Sequence, residues 1–174
     1  MNYHNILHDD MRNGDGLRVT LFVSGCNNRC KGCQNPQTWD CNSGIEFDVE
    51  AKEEIFEQLK QDYIAGITLS GGDPLHPNNL NEVYELLSKV KAEYPNKTIW
   101  IYTGYTWEFI NDDTLTDNDN IKRAIVIAHA DVLVDGKFDY TKADVQYHWA
   151  GSTNQRVIDV KNTLATGEIV LWES

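Results

Sequence analysis

Leu17-Arg18-Val19-Thr20-Leu21-Phe22-Val23-Ser24-Gly25-Cys26-Asn27-Asn28-Arg29-Cys30-Lys31-Gly32-Cys33 decides how the chain is read. An apolar run that closes on Ser-Gly predicts a strand over Leu17 to Ser24 that opens into a loop. Three thiols follow on that loop. Soft sulfur ligands select zinc, copper(I) or iron-sulfur clusters. Cysteines at i, i+4 and i+7 would also share one helix face and serve as small core residues. The surrounding Gly25, Asn27, Asn28, Gly32 and Pro36 are poor helix formers and favour the metal reading. Arg29 and Lys31 are expected to lower the thiol pKa values and favour the thiolate.

The number of thiols narrows the chemistry. A closed structural zinc site takes four ligands, usually in two separated pairs, and no second pair is present in the sequence. Cys41 completes a site only if the loop folds back, and is read as a spare thiol. Iron-sulfur clusters ordinarily take four cysteines, so three point to a cubane with one iron left open to a non-protein ligand. The spacing of three and then two intervening residues resembles the signature of the radical S-adenosylmethionine (SAM) enzymes. In that family the open iron chelates the amino and carboxylate groups of SAM.

Outward from the loop, 174 residues suffice for one domain, 1–174, with a sizeable core. No apolar run reaches membrane-spanning length and Met1 to Asp10 carries no leader pattern, so a soluble, cytoplasmic protein is expected. Four cysteines in the first quarter of the chain also fit a reducing compartment. The net charge of −12, spread along the chain, argues against nucleic acid or an anionic membrane as partner.

Short apolar runs alternate with helical patterns, which predicts an α/β protein with a mostly parallel sheet and crossover helices. Asp48 is expected to cap a helix carrying Ile55, Phe56 and Leu59, and Ile67 to Leu69 to form a second strand. Asn78 or Asn79 caps the next helix, with Leu80, Val83, Leu87 and Val90 at helical spacing. Ile99 to Tyr102 is the third strand and Trp107 to Ile110 a short helix. Ile121 to Ala128 is helix or strand, with helix preferred. Val132 to Val134 and Arg156 to Val160 are the fourth and fifth strands, and Ile169 to Trp172 is a possible sixth at the edge. The polar insert from Lys137 to Asn154 is long for a connection and is read as functional or partner-facing, with Tyr147 and Trp149 as exposed anchors or a satellite cluster.

Four strands end on a small polar or acidic residue and a glycine: Ser24-Gly25, Ser70-Gly71, Thr103-Gly104 and Asp135-Gly136. Ligands of parallel α/β sheets sit at such carboxyl ends, so these glycines are expected to line one rim. Gly71 and Gly72 would let a small polar ligand approach the free amides and carbonyls of the backbone. The five histidines show no common metal-ligand spacing and are read as surface or packing residues.

On these residues the chain resembles the activating enzymes of anaerobic (class III) ribonucleotide reductases, a branch of the radical SAM family. The likeness runs through Met1-Asn2-Tyr3-His4, Leu21 to Cys26, Ser70 to Pro77, Thr103-Gly104-Tyr105, Asp131 to Phe138, and Gly151-Ser152 with Asn154-Gln155. It implies a shortened, open (β/α) barrel, with Cys26, Cys30 and Cys33 on a 4Fe-4S cluster. It also implies that Gly71-Gly72-Asp73-Pro74 binds the SAM amino group. Gly32, Cys33, Gln34 and Asp135 complete the expected cofactor rim. Many radical SAM enzymes have an aromatic residue where Gly32 stands, although this branch uses Gly, and Gln34 replaces a frequent Tyr. The resemblance further implies electron transfer to SAM from the cluster, itself reduced by a flavodoxin-like or similar donor. Methionine and a 5'-deoxyadenosyl radical form, and the radical takes hydrogen from a glycine near the C-terminus of the anaerobic ribonucleoside-triphosphate reductase. No side-chain acid or base is required, so no catalytic residue of that kind is assigned. A formate-lyase type activase, a radical SAM enzyme acting on a small molecule, and a zinc-stabilised interaction module are the other readings.

Overall fold

The computed structural model describes residues 1–173. Its strands are β1 (Asn2–Asp10), β2 (Leu17–Val23), β3 (Ile45–Glu46), β4 (Ile64–Gly71), β5 (Thr98–Tyr102), β6 (Val132–Asp135) and β7 (Arg156–Asp159). They form one sheet in the order β3-β1-β2-β4-β5-β6-β7. β2, β4, β5 and β6 run parallel, as the alternation of strands and helices predicts. The flanks are antiparallel: β1 on β2, β3 on β1, and β7 on β6. The sheet is therefore mixed and unclosed, a correction to the mostly parallel reading at both edges.

The helices are α1 (Val49–Leu59), α2 (Leu80–Glu93), α3 (Trp107–Ile110), α4 (Asn118–Ile127) and α5 (Val160–Thr166). Asp48 caps α1 by accepting a hydrogen bond from the Ala51 amide at 2.9 Å, an interaction worth about 1 kcal/mol. Asn79 stands at the start of α2, yet its side chain makes no cap. It donates instead to the carbonyls of Ser24 and Asp73, at 2.8 and 3.0 Å, and so ties the helix entrance to two strand ends.

Strand alternation sorts the sheet into two faces. Val19, Leu21, Val23, Ile67, Leu69, Ile99, Ile101 and Leu133 join Ile55, Leu59, Leu87 and Val126 of the helices in the main core. The opposite face carries Arg18, Thr20, Thr68, Trp100, Val132 and Val134, all buried. Trp149 and Trp172 meet Trp100 edge-on here, each with centroids 5.8 Å away. Trp149 is thus part of a satellite cluster and not an exposed anchor. Toward the amino ends of the strands, Arg18 donates to Thr68 Oγ1, Ile67 O, Thr98 O and Oγ1, and Asp15 O. Burial without a carboxylate partner pulls its pKa down to about 10.

Several elements differ from expectation, among them β3 and α5, which the sequence reading lacks, and β7, which ends at Asp159 because Val160 opens α5. β1 is absent from the sequence reading because register shifts after Tyr3 and after Leu7 break its alternation. β4 begins at Ile64 because Gly66 lies inside the strand, where a Cβ would overlap the backbone of Thr98. Ile169 to Trp172 makes only an isolated bridge, Leu171 to Ile158, while α5 occupies the preceding residues.

Candidate cluster and cofactor site

The carboxyl ends of the four parallel strands and the cysteine loop enclose a cavity of about 870 Å³ lined by Cys26, Cys30, Cys33, Gly71, Gly72 and Gly104, among others. Up to Cys30 the loop presents alternate residues to it. Cys26, Asn28, Cys30, Cys33, Gln34 and Asn35 line the cavity. Asn27, Arg29, Lys31 and Gly32 are exposed to solvent. The Cys26 amide donates to Trp39 O at 3.0 Å, the Cys33 amide to Cys30 O at 3.1 Å, and the Asn35 amide to Cys33 Sγ at 3.4 Å. Cys41 does not line the cavity. It packs beside Gly25.

Burial pushes the Cys26 and Cys30 thiols up, against amide donors from Asn28 and Arg29 to the first and from Phe138 to the second. This reverses the expected direction, because the neighbouring cations do not face the sulfurs. Arg29 is exposed. Lys31 Nζ lies 4.3 Å from the ring centre of Tyr140 and donates to its hydroxyl at 3.1 Å. A thiol that coordinates iron is deprotonated, its proton displaced to solvent by the metal, so the donor set and its amide donors fit a cluster. Among the described residues, no three His, Cys, Asp or Glu side chains gather tightly enough for a single metal ion. A mononuclear zinc site needs four such ligands.

Gly72 directly follows β4, beside the start of the cysteine loop. Its amide donates to Val23 O at 2.8 Å and that of Asp73 to Gly25 O at 2.7 Å. A Cβ on Gly72 would come within 2.6 Å of Gly25 O. The glycine pair therefore serves close backbone packing, and the amides of Gly72 and Asp73 are not free as the sequence suggested. Among the described residues nothing donates to the Gly72 carbonyl, which leaves an acceptor at the rim.

Asp73 and Asp135, both expected at the cofactor rim, are 1 % exposed and do not line the cavity. Asp73 Oδ1 accepts from Leu75 N at 2.9 Å and Thr103 Oγ1 at 2.8 Å. Its Oδ2 accepts from Gly104 N at 3.0 Å and Asn28 Nδ2 at 3.2 Å. One carboxylate thus joins the cysteine loop to the ends of β4 and β5. Burial nonetheless pushes its pKa up. Asp135 accepts from Trp107 N at 2.7 Å and Arg156 Nη2 at 2.5 Å. Arg156 also forks onto Glu108, with both bonds at 2.8 Å, and holds its carboxyl down to about 2.

The insert from Lys137 to Asn154 forms one wall of the cavity. Phe138 and residues 143–151 line it, and Ala143 bridges to Ser152 across its base. Gln155 Oε1 takes the amides of Gly151 and Ser152, at 3.0 and 3.1 Å, and its Nε2 donates to Gly136 O at 2.9 Å. The sequence did not single out Asn28, Tyr102, Phe138 or Gln155 as site residues. Tyr102 Oη and Trp149 Nε1 are buried on cavity-lining residues and have no hydrogen-bond partner among the described residues. Such atoms usually find a partner, which fits a cavity built for a polar occupant.

The sequence model of the family described as "4Fe-4S single cluster domain" matches residues 12–158, which places the chain among iron-sulfur cluster proteins. A Vibrio cholerae protein is 46% identical over 157 residues, spanning 89% of this chain and 96% of its own. Relatives from Pasteurella multocida and Escherichia coli are each 43% identical, over 89% and 90% of this chain and 95% and 97% of theirs. All three carry the name anaerobic ribonucleoside-triphosphate reductase-activating protein. The chain belongs to this family.

Proposed function

We propose that the chain activates an anaerobic ribonucleoside-triphosphate reductase by placing a glycyl radical on it, with a 4Fe-4S cluster on Cys26, Cys30 and Cys33 and SAM beside it. The observation that carries this reading is the convergence of three thiols and the glycine-lined strand ends on one cavity. When bound, the cluster would supply the one-electron reduction that homolytic cleavage of the SAM sulfonium needs, the chemistry by which hydrogen would be taken from the partner's glycine. The chain's own residues position and shield. The Gly72 carbonyl would accept from the SAM ammonium group, and Gln34 and Phe138 lie on the cavity wall with the thiols. Asp73 and Asn28 keep the loop and the rim in register, a positioning task in which small displacements are costly. We read the unclosed sheet as the shortened, open barrel that the resemblance implies.

The test is anaerobic reconstitution with iron and sulfide, followed by reduction with SAM and the cognate reductase. The expected result is SAM cleavage and an electron paramagnetic resonance doublet on the reductase, absent from pyruvate formate-lyase and lost when the target glycine is replaced by Ala. A doublet on the lyase alone would move the chain to the formate-lyase branch. SAM cleavage with no radical on either protein would point to a small-molecule substrate.

A further inference from the structure

Among the described residues, five buried side-chain N or O atoms have no hydrogen-bond partner, and three of them, Trp100 Nε1, Tyr102 Oη and Trp149 Nε1, belong to the satellite cluster. Buried polar groups are almost always bonded, and one left alone is destabilising. An indole N–H can only donate, so this cluster lacks acceptors. Strand register places it. Phe22 is opposite Ser70, Leu69 opposite Ile101 and Tyr102 opposite Val134. Phe22, Ser70 and Tyr102 therefore make one layer of the cavity lining, two residues beneath the rim glycines Gly72 and Gly104. Below that layer the cavity continues to Arg12 and Asn13, and Asn13 O accepts from Thr68 Oγ1 at 2.7 Å. The cavity thus runs along the strands, with the thiols at one end and a lower section walled by Tyr102 and Trp149. That wall is loosely held. Among the described residues, the hydrogen bonds of 144–150 stay within the insert or go to Gln155. Trp149 and Ala150 rest on Trp100, Val132 and Val134 through packing alone. Trp149 also holds φ at 62°, in the left-handed region that bulky residues rarely adopt and that recurs at ligand clamps.

We infer that Tyr102 and Trp149 seat the partner's glycine-bearing segment, Tyr102 Oη and Trp149 Nε1 donating to its backbone carbonyls. The inference rests on the function proposed above, in which a glycine within another protein's backbone has to reach the thiol end of the cavity. An extended peptide carries an acceptor carbonyl at every residue, which is what the lower section lacks. It can enter between the exposed Arg12 side chain and the exposed insert tip at Val145, both of which line the cavity, and lie along the strands. A small displacement of the insert as the segment enters uncovers both donors and gives them acceptors.

The test uses the reconstituted full chain with its cluster oxidised, so that no turnover occurs, and a short synthetic peptide centred on the target glycine of the cognate reductase. Dissociation constants for the peptide and for SAM are measured separately on the unaltered chain, Tyr102→Phe and Trp149→Phe. Each variant removes one donor and keeps an aromatic ring. Losing one neutral hydrogen bond should weaken the peptide about 2- to 12-fold, and by more than it weakens SAM. The urea midpoint of Tyr102→Phe should equal or exceed that of the unaltered chain, because the hydroxyl it removes has no partner to lose. A lowered midpoint would make that hydroxyl structural and overturn the contact. Unchanged peptide affinity in either variant would overturn the inference, and so would a loss of SAM affinity as large as that of the peptide, which would give the donors to the cosubstrate. Failure of the peptide to bind an unaltered chain that still places a radical on the intact reductase would overturn it as well. Absence of SAM cleavage by the reduced unaltered chain would instead overturn the proposed function.

Discussion

Replacing Asp73 tests whether its carboxylate is a brace or a ligand contact. In Asp73→Ala the four donors lose their acceptor. Thr103 Oγ1 can rotate and Asn28 can turn toward the cavity, but the amides of Leu75 and Gly104 remain fixed in the backbone. Each buried amide left unpaired costs about 1–3 kcal/mol, so the loss should be about 2–6 kcal/mol, much of the stability of a typical domain. In Asp73→Asn the Oδ1 bonds survive, and a flipped Asn28 amide can accept from the new NH2 group. Only Gly104 N is then unpaired, for about 1–3 kcal/mol. Urea unfolding of the cluster-free protein gives both values from the midpoint shift at constant slope. Anaerobic reconstitution then gives cluster occupancy from visible absorbance, which should fall in the order Asn, then Ala, because Asn28 is freed. An Ala variant with unchanged urea midpoint and full cluster occupancy, but no SAM binding, would refute the brace and make Asp73 a direct contact.

Cys26→Ala, Cys30→Ala and Cys33→Ala should each abolish the broad visible absorbance and SAM cleavage, while Cys41→Ala should retain both; loss of the cluster in Cys41→Ala would refute the three-thiol assignment. Gly72→Val should lower SAM affinity and also cluster occupancy, since its Cβ would displace Gly25, next to Cys26; normal values for both would refute the close-packing role. The Glu108 carboxyl is held at about 2 against an ordinary 4.5, so its pair with Arg156 stabilises the fold above about pH 4.5 and is lost as the pH falls through about 2. The Glu108 side chain is 61% exposed, which limits the effect to under about 1 kcal/mol. The urea-midpoint difference between the unaltered chain and Glu108→Gln should therefore shrink as the pH falls; a difference that grows would contradict the assignment.

The rim was legible because it depends on local patterns. Strands ending at Ser24-Gly25, Ser70-Gly71 and Thr103-Gly104 punctuate apolar runs, and the cysteine spacing follows the first of them. The antiparallel flanks were not, since β1 is polar at alternate and shifted positions and its burial comes from pairing with β2. The brace was hidden for a related reason. Nothing in the order of residues tells that Asn28, Asp73 and Thr103, on three separate segments, share one carboxylate. Asp73 and Asp135 were recognised as rim positions, but their burial turns them from ligand contacts into internal supports. The effect of Arg29 and Lys31 on the thiols was misjudged because adjacency in sequence does not fix side-chain direction, and here both cations turn away.

The antiparallel strand β7 ends the series of parallel strands after four, so the sheet never curls back to meet its other edge at β3. On the proposed function, the missing side of the enclosure has to come from the reductase. Insulation of the radical then belongs to the complex and not to the activator. The isolated protein should behave as a leaky device that consumes its cosubstrate without transferring radical character, and coupling should tighten as the partner seats.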